Sequence, residues 1–188
     1  MTECLGRKIA FLDRDGVINI DHGYIGAISA FEFSEGIFES LLRLKEFGYE
    51  FIIVTNQSGV ARNYFTRDDL ETVHKYMCDQ LKKNGIEILQ IYTCLHHPEI
   101  TGKCDCRKPG VGMLKSAAQD YKINLKDSIL IGDKSSDIKM GESFGLRNNY
   151  FIKGRYNQDS TDALEFENIS QCTDYITKKE NLDERFSE

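Results

Sequence analysis

Two carboxylates, one residue apart, stand at the end of a short apolar run near the start of the chain. The predicted strand Ile9–Asp13 ends in the first of them, and Asp15 follows after a single arginine. Because the side chains of a strand alternate with a period of two, we expect both carboxylates to lie on the same side. One ionised carboxylate can attack phosphorus, and the other can hold a proton for the leaving oxygen, since neighbouring negative charge is expected to raise its pKa. The pair alone fits loop capping or simple metal binding better, but together with the Thr/Ser turn, the lysine and the later Asp pair it indicates phosphoryl transfer.

Polar side chains follow the other predicted strands in a similar way. The second strand, "FIIVTNQSG", runs into a turn of hydroxyls and amides, and the fourth, "DSILIGDKSSD", runs into acids and a lysine. Parallel strands bring their carboxyl ends to one edge of a sheet, which is where ligands bind. Carboxylates suit Mg²⁺, and cations suit the oxygens of a transferring phosphoryl group. The residues expected at this edge are Asp13, Asp15, Thr55, Asn56, Gln57, Ser58, Arg107, Lys108, Asp133, Lys134 and Asp137.

The order of strands and helices predicts an α/β fold. Apolar residues recur at helical spacing in "EGIFESLLRLKEFGYE", Thr66 and Gly85 bracket a second helix, and "GVGMLKSAAQDYKI" predicts a third. Further strands are expected at "IEILQIYTC" and "NNYFIKG", with a short helix around 138–144. This alternation predicts a doubly wound, mainly parallel sheet in a single domain over residues 1–188. The acidic segment after Arg155 has a weaker pattern.

A cysteine-rich insertion after the third strand has the spacing of a metal site. Its pattern is C-x-H-x7-C-x-C, formed by Cys94, His96, Cys104 and Cys106. Three thiolates and one imidazole complete the tetrahedral set of structural Zn²⁺ and leave no open position. His97 is the rival histidine, and a set of unrelated free thiols is the alternative interpretation. We expect the ion to fold the loop 94–109 and to aim Arg107 and Lys108, which follow directly.

Composition and charge limit the classes of protein that this chain can represent. Its 188 residues are 40% hydrophobic and 29% charged, a globular balance for one domain. The formal net charge of −6 argues against nucleic acid as the main partner. No apolar run approaches the roughly 20 residues that cross a bilayer, and charges appear too early for a signal peptide. We therefore expect a cytoplasmic protein, a monomer, that binds no membrane and keeps its six cysteines mostly reduced.

Several motifs resemble those of a known superfamily. "DRDGVIN" resembles the first motif of the haloacid dehalogenase superfamily of phosphatases, "TNQSG" the second, Arg107-Lys108-Pro109 the third and "GDKSSD" the fourth, over roughly residues 8–155. More narrowly, "DRDGVINIDHGY", "FEF", "TNQSGVAR", "CDCRKP" and "GML" resemble the bacterial heptose bisphosphate 7-phosphatases. The resemblance implies removal of the C7 phosphate of D-glycero-D-manno-heptose 1,7-bisphosphate through an aspartyl phosphate. We expect no large cap domain, because such a domain needs an insertion of many tens of residues and the sequence between the motifs has no room for one.

The resemblance also implies roles for the acidic residues. Asp13 is expected to be the nucleophile and an Mg²⁺ ligand, and Asp15 the general acid, touching Mg²⁺ through its backbone carbonyl. Asp133 is expected to be the other acidic ligand, with Lys134 beside it. Asp137 either orients Lys134 or is simply an acid at a helix N-terminus.

The remaining motif residues are implied to hold the substrate. Thr55 and Lys108 would hold the transferring phosphoryl group, and Arg107 would recognise the substrate, since a planar guanidinium suits a second phosphate. The family pattern favours His96 over His97 as the Zn²⁺ ligand, although the loop between ligands is shorter than is usual there. The other implied substrate contacts are Asp21, His22, Gly23, Tyr24, Asn56, Gln57 and Ser58.

Other functions remain as alternatives. A histidinol-phosphate phosphatase shares the aspartates and a similar zinc loop, but the "DHGY" segment and Arg107 favour a sugar bisphosphate. A polynucleotide 3′-phosphatase fits poorly with the acidic charge, and a catalytically inactive zinc-stabilised binding module fits poorly with the complete set of catalytic side chains. The residues His74, Cys78, Phe31, Phe33 and Phe38 are expected to be packing or surface residues without a catalytic role.

Overall fold

Six strands form one parallel sheet in this computed structural model, which describes residues 6–154 and 161–185. The strand order is β3-β2-β1-β4-β5-β6, and every neighbouring pair is parallel. This arrangement confirms the predicted doubly wound, mainly parallel sheet. The strands are β1 Ile9–Leu12, β2 Glu50–Asn56, β3 Ile88–Cys94, β4 Ile129–Gly132, β5 Asn148–Ile152 and β6 Leu164–Phe166.

Helices cover both faces of the sheet. They are α1 Ile37–Glu46, α2 Arg67–Lys83, α3 Pro98–Thr101, α4 Gly112–Asp120, α5 Ser135–Phe144 and α6 Ile169–Arg185, with a short 3₁₀ helix at Ile28–Ala30. Because strand side chains alternate, Leu12 packs in the core under α1, α2 and α6. Its neighbour Phe11 packs in the opposite core, under α4 and α5. Within the described ranges, no helix is long and apolar enough to span a membrane.

The N-terminus of α2 follows the predicted capping pattern. Thr66 Oγ1 accepts a hydrogen bond from Asp69 N at 3.1 Å, and Asp69 Oδ2 accepts one from Thr66 N at 2.8 Å. This reciprocal capping box satisfies two backbone donors that a helix start otherwise leaves unpaired. The predicted Thr66 start is confirmed, and the residues that precede it, 57–65, are consequently held between β2 and α2.

The acidic segment after Arg155 is more structured than its sequence pattern indicates. Residues 155–160 lie outside the described part of the chain, but beyond them β6 joins the sheet edge and α6 packs against α1. Buried Ile169, Cys172 and Ile176 anchor α6, and its Asp174 pairs with Arg43 at 2.5 Å. Three apolar positions in a charged segment are a weak signal, because the helix is stabilised mainly by the face that it buries.

Some element boundaries differ from the sequence prediction at the carboxyl edge. Strand β2 runs through Thr55 and Asn56, which were expected just after it. The short helix predicted around 138–144 begins earlier, at Ser135, because Asp137 in its first turn accepts a hydrogen bond from Lys134 N at 3.0 Å. Asp13 and Asp133 each follow directly after their strands, as predicted.

Candidate active site and metal centre

The carboxyl ends of β1, β2 and β4 meet around Asp13. Its backbone N–H donates to Ile131 O at 3.0 Å, which continues the β1–β4 pairing one residue beyond the strand. Its carboxylate accepts from Arg14 N at 2.7 Å and lies 2.8 Å from Lys108 Nζ. Only 5% of Asp13 is exposed, so its carboxylate is held in a single direction at the sheet edge.

Lys108 is a buried cation held by three oxygens. Its Nζ donates to Val54 O at 3.0 Å and pairs with Asp13 at 2.8 Å and with Asp137 at 2.5 Å. Burial alone would lower the pKa of Lys108, but the two carboxylates outweigh it and the pKa is raised. Lys108 therefore stays charged beside Asp13. Of the two alternatives for Asp137, the structure supports the acid at a helix N-terminus, because Asp137 lies in the first turn of the helix Ser135–Phe144. Its carboxylate pairs with Lys108 rather than with the Lys134 side chain.

Three acids form a cluster that suits a divalent cation. Carboxylate oxygens of Asp13, Asp133 and Asp137 lie within 4.8 Å of one another. Burial raises the pKa of Asp13 to about 6, against the opposing charge of Lys108. Burial and the charge of Asp13 raise the pKa of Asp133 to about 8. Because Lys108 brings one positive charge to Asp13 and Asp137 together, a divalent cation would relieve the negative charge that remains in the cluster.

One oxygen of this cluster lacks a protein partner. Asp133 Oδ2 is buried and accepts no hydrogen bond. The backbone of Gly16, at φ +89°, closely approaches it, and a Cβ there would fall 2.2 Å from this oxygen. A buried carboxylate oxygen without a donor is costly unless a cation compensates it. The residues therefore fit Mg²⁺, which prefers a few carboxylates together with water and phosphate oxygens.

Magnesium binding at this cluster is expected to strengthen with pH. Protons compete for carboxyls whose pKa values are about 6 and about 8, so the Mg²⁺ affinity should rise by about tenfold or more between about pH 6 and about pH 8. Raised carboxyl pKa values also mean that the magnesium-free protein should lose stability as pH rises from about 4 to about 8. Calorimetric titration with MgCl₂ measures the first effect and melting curves measure the second. An affinity that is independent of pH would contradict this assignment.

Asp15 differs from its expected electrostatics. Burial works to raise the pKa of Asp15, but the charge and hydrogen bonds of Arg14, with bonds from Asn19 and Gln57, outweigh it and hold the pKa below the usual value. Arg14 Nη2 lies 2.8 Å and Gln57 Nε2 lies 2.6 Å from the carboxylate. The expectation of a raised pKa is therefore wrong for the substrate-free protein. The hydrogen-bond donors in direct contact with Asp15 therefore affect its pKa more than the neighbouring acids do.

Arg14 and His74 were not predicted to belong to the site. The Arg14 guanidinium is fully buried, and its Nη1 lies 3.2 Å from His74 Nε2. Since a guanidinium can only donate, His74 Nε2 accepts and the ring is neutral. Burial and the Arg14 charge lower the pKa of His74 to about 4. His74 is thus a packing residue, as expected, but one that holds the arginine against Asp15. Its position in the middle of α2 gave no signal of this contact.

A cavity of about 590 Å³ opens beside Asp15 and Lys108. Asp21 holds one side of it, accepting from Gly23 N at 2.9 Å and pairing with Lys134 Nζ at 3.2 Å. Gln57 bridges Asp15 and Thr55, donating to Thr55 Oγ1 at 2.8 Å. The predicted site residues in its lining are Asp15, Asp21, Gly23, Tyr24, Asn56, Gln57, Ser58, Arg107, Lys108 and Lys134, joined by Gly59 and Ser136.

His22 was predicted to bind the substrate, but its side chain does not line the cavity. Its Nε2 lies 3.0 Å from a carboxylate oxygen of Glu32, in an exposed pair. The neighbouring glycine, Gly23 at φ +78°, reverses the chain so that Tyr24 returns to the cavity. The sequence order "DHGY" alone does not separate the residues that face the cavity from the one that faces away.

The Cys/His loop brings its four predicted ligands together. The sulfur atoms of Cys94, Cys104 and Cys106 lie 3.1–3.7 Å apart, and His96 Nδ1 lies 3.2 Å from Cys106 Sγ. A tetrahedral Zn²⁺ with Zn–S bonds of about 2.3 Å requires sulfur–sulfur separations of about 3.8 Å, so the set fits. His97, the rival histidine, faces Arg62 instead, with Nε2 at 2.7 Å from Arg62 Nη2.

The loop also holds the two cations that follow it. Arg107 Nη1 donates to His96 O at 3.1 Å. The backbone carbonyl of this predicted Zn²⁺ ligand therefore fixes the Arg107 guanidinium at the cavity wall. Lys108 N donates to Asn56 Oδ1 at 3.1 Å, which ties the loop to the end of β2. These contacts hold Arg107 and Lys108 in place, and the role of a bound ion in aiming them stays a prediction.

The other residues expected to be structural pack as expected. Phe33 lies with its ring centroid 5.0 Å from that of Phe31 and 4.8 Å from that of Phe38, all against the core under α1 and α2. Cys78 is half-buried on α2, and burial raises the pKa of its thiol, so it is poorly reactive. These residues contribute to packing rather than to the cavity.

Comparison with known proteins defines the class of enzyme. Residues 8–177 match the model of the family described as Polynucleotide kinase 3 phosphatase. The fold also aligns with the crystal structure of D,D-heptose 1.7-bisphosphate phosphatase from B. bronchiseptica complexed with magnesium and phosphate, at a TM-score of 0.82 and 25% identity, over 92% of this chain and 99% of that chain. The sheet and its carboxyl-edge acids are those of a phosphatase of the haloacid dehalogenase superfamily.

Curated relatives narrow this class. A D-glycero-alpha-D-manno-heptose-1,7-bisphosphate 7-phosphatase of Photorhabdus laumondii is 41% identical over 78% of this chain and 82% of its own length. A D-glycero-beta-D-manno-heptose-1,7-bisphosphate 7-phosphatase of Helicobacter pylori strain J99 is 39% identical over 90% of this chain and 97% of its own length. The chain belongs to the D-glycero-D-manno-heptose-1,7-bisphosphate 7-phosphatase family. It also matches the wider family described as Polynucleotide kinase 3 phosphatase.

Proposed function

We propose that the protein hydrolyses the C7 phosphate of D-glycero-D-manno-heptose 1,7-bisphosphate and releases heptose 1-phosphate. The observation that carries this proposal is the Asp13–Lys108 pair, 2.8 Å apart, because Lys108 lines the cavity together with Arg107 and Lys134. One cation beside the nucleophile suits the phosphoryl group that is transferred, and further cations at the wall suit a second phosphate. A substrate with two phosphates would contact both the cation beside the nucleophile and the cations of the wall.

In the first step, an Asp13 carboxylate oxygen attacks the C7 phosphorus. A bond forms between that oxygen and phosphorus, the bond from phosphorus to O7 breaks, and the electron pair leaves on O7. Lys108 and Thr55 hold the phosphoryl oxygens. Asp13, Asp133 and the Asp15 carbonyl would hold Mg²⁺, with Lys134 adjacent; the ion supplies positive charge that stabilises those oxygens.

Asp15 moves the proton in both steps. The substrate-free protein holds Asp15 ionised, but the negative ester that enters the cavity disfavours this charge, so a proton is taken up as substrate binds. Asp15 gives this proton to O7 as the sugar leaves. Water then attacks the phosphorus of the aspartyl phosphate while Asp15 accepts its proton. The bond from phosphorus to the Asp13 oxygen breaks, its electron pair returns to the Asp13 carboxylate, and inorganic phosphate is released. Gln57, which bonds both Asp15 and Thr55, keeps the acid beside the phosphoryl site.

Around these steps, the remaining cavity residues hold the sugar and its second phosphate. Asp21, Gly23 and Tyr24 would contact the sugar from one wall, with His22 reaching it only by leaving Glu32. Asn56 and Ser58 would contact it from the other wall, and Arg107 would bind the C1 phosphate. Ion pairing of Asp21 with Lys134 keeps that wall in place before substrate binds.

The Cys/His loop would hold a structural Zn²⁺ through Cys94, His96, Cys104 and Cys106. Such ligands must be reduced thiolates, which supports a cytoplasmic location. We propose that residues 1–188 form one phosphatase domain that works as a monomer without nucleic acid or membrane partners. Its product would then feed the synthesis of nucleotide-activated heptose for lipopolysaccharide or other surface glycans.

Substrate preference is the direct test. We expect kcat/KM for the heptose 1,7-bisphosphate to exceed that for single-phosphate competitors by about 100-fold or more, since a site built for a second phosphate leaves cations unpaired without it. The panel contains both anomers of the bisphosphate, histidinol phosphate and an oligonucleotide with a 3′-phosphate, and phosphate release is measured for each. Preference for histidinol phosphate or for the oligonucleotide would overturn the proposal.

A further inference from the structure

The segment of residues 57–65 contacts both of the other loops that border the cavity. One of these is the loop 21–26, which carries Asp21 and Tyr24, and the other is the Cys/His loop 94–109. The ring of Phe65 fills the space beside Gly26, where a Cβ atom would fall 2.3 Å from Phe65 Cγ. A Cβ at Gly59 would fall 2.3 Å from Cε1 of the same ring. Phe65 therefore joins the segment to the loop 21–26 in a fit that only glycine allows.

Two exposed tyrosines extend this contact at the cavity rim. The ring centroids of Tyr24 and Tyr64 lie 4.7 Å apart in an edge-to-face arrangement, and the Arg62 guanidinium carbon lies 5.8 Å from the Tyr24 centroid. Both distances are those of favourable aromatic and cation–π contacts. Tyr24 lines the cavity, so its orientation determines the shape of that wall.

The same arginine reaches the Cys/His loop. Arg62 Nη2 lies 2.7 Å from His97 Nε2, which accepts because a guanidinium only donates. His97 directly follows His96, whose carbonyl accepts from Arg107 Nη1 at 3.1 Å. One guanidinium therefore contacts the wall that holds Tyr24 and the loop that holds Arg107, two walls far apart along the chain.

Backbone conformation marks the same place. Within residues 6–154 and 161–185, the two non-glycine residues at positive φ are Tyr24 at +49° and Asn63 at +57°. Such conformations are unfavourable and persist where surrounding contacts hold them, often at functional sites. Tyr24 belongs to the group formed with Arg62, Tyr64, Phe65 and His97, and Asn63 lies between Arg62 and Tyr64 in the same segment.

We propose that Arg62 is a positioning residue that couples the loop 21–26 to the Cys/His loop, and that this coupling sets the affinity for the sugar bisphosphate. The functional half of the inference rests on the proposed substrate. Arg62 does not reach the reacting atoms, so the chemical step on a small ester does not depend on it. What it fixes is the separation of the two walls that a substrate with two phosphates must contact at once.

The test is a double-mutant cycle in the full-length protein. Arg62→Met removes the donors but keeps the length of the side chain. His97→Asn is too short to reach Arg62, and asparagine is a favoured residue at the start of the following helix. Arg67→Met is the matched control, because Arg67 is exposed on α2 and pairs only with Glu71 at 3.0 Å among the contacts described. For each variant, kcat and KM are measured on the heptose bisphosphate and on p-nitrophenyl phosphate. Hydrogen–deuterium exchange is measured in the loops 21–26 and 95–102.

Each single variant is expected to raise KM for the bisphosphate by about tenfold, with kcat and the p-nitrophenyl phosphate kinetics within about twofold of the parent protein. The double variant should raise KM for the bisphosphate no further than the more severe single variant does, because both substitutions remove the same Arg62–His97 contact. Exchange should rise in both loops in each single variant, and Arg67→Met should change nothing. The coupling would be overturned if the KM increases of the two single variants multiplied in the double variant. Equal losses of kcat/KM on both substrates, or faster hydrogen exchange in one loop alone, would also overturn it.

Failure of the proposed substrate has a different signature. A parent protein that does not favour the bisphosphate contradicts the proposed function, and the exchange measurements then decide the loop coupling on their own. Coupled exchange in both loops supports the structural role of Arg62 in that case, and uncoupled exchange removes it.

Discussion

Replacing Asp13 with asparagine is expected to reduce turnover to background on every phosphate ester, a loss of about 10⁴-fold or more. The change removes the attacking oxygen and a proposed Mg²⁺ ligand together, so a better leaving group cannot restore the rate. The charge that Lys108 pairs with, 2.8 Å away, disappears as well. Steady-state kinetics on the heptose bisphosphate and on p-nitrophenyl phosphate measure the loss. Substantial turnover of either substrate by Asp13→Asn would show that another residue is the nucleophile.

Asp15→Asn is expected to behave differently on the two substrates. General acid help is typically worth about 10²–10⁴-fold, and a nitrophenolate leaves without it. The variant should therefore lose most of its rate on the sugar phosphate, retain much more on the aryl ester, and accumulate phosphorylated Asp13. Rapid-quench mass spectrometry detects that species, and Asp79→Asn, an exposed aspartate on α2 that pairs with Lys75, is the matched control. Equal losses on both substrates would remove the acid role from Asp15.

Replacing Cys104 with serine is expected to remove bound zinc and to destabilise the fold by about 3 kcal/mol or more, because structural Zn²⁺ binding energy is folding energy. Its sulfur lies 3.7 Å from Cys94 Sγ and 3.5 Å from Cys106 Sγ, so one missing thiolate opens the tetrahedral set. Metal analysis and thermal melting measure the two effects. Activity should fall with the metal, since the loop anchors Arg107 and Lys108.

The matched control for this change is Cys78→Ser. Cys78 is a half-buried thiol on α2, outside the metal cluster, so it should keep the zinc content of the parent protein. A parent protein with full activity and no zinc, or a Cys104→Ser variant with unchanged melting, would contradict the structural role of the loop.

Much of the candidate site could be read from local pattern. Asp13 and Asp133 follow short apolar strands, and consecutive parallel strands necessarily deliver their carboxyl ends to one edge. Spacing within a few residues likewise sufficed for the capping box at Thr66 and for the three thiols with a neighbouring histidine, while the choice of His96 over His97 came from the resemblance to the family. These features depend on strand direction, helix period and short loops, all of which are local properties of the chain.

The features that the pattern did not predict depend largely on side chains from distant segments. Asp15 is held ionised by its neighbour Arg14 and by Gln57 from the end of β2, and Arg14 is held in place by His74 from the middle of α2. The helix α6 is stabilised through the face that it buries on α1, and Arg62 meets His97 only because two loops fold over the same cavity. Proton affinity and side-chain direction in a buried site are set by donors and charges within a few ångströms. Which groups come that close is a result of packing, and a short stretch of sequence carries no record of it.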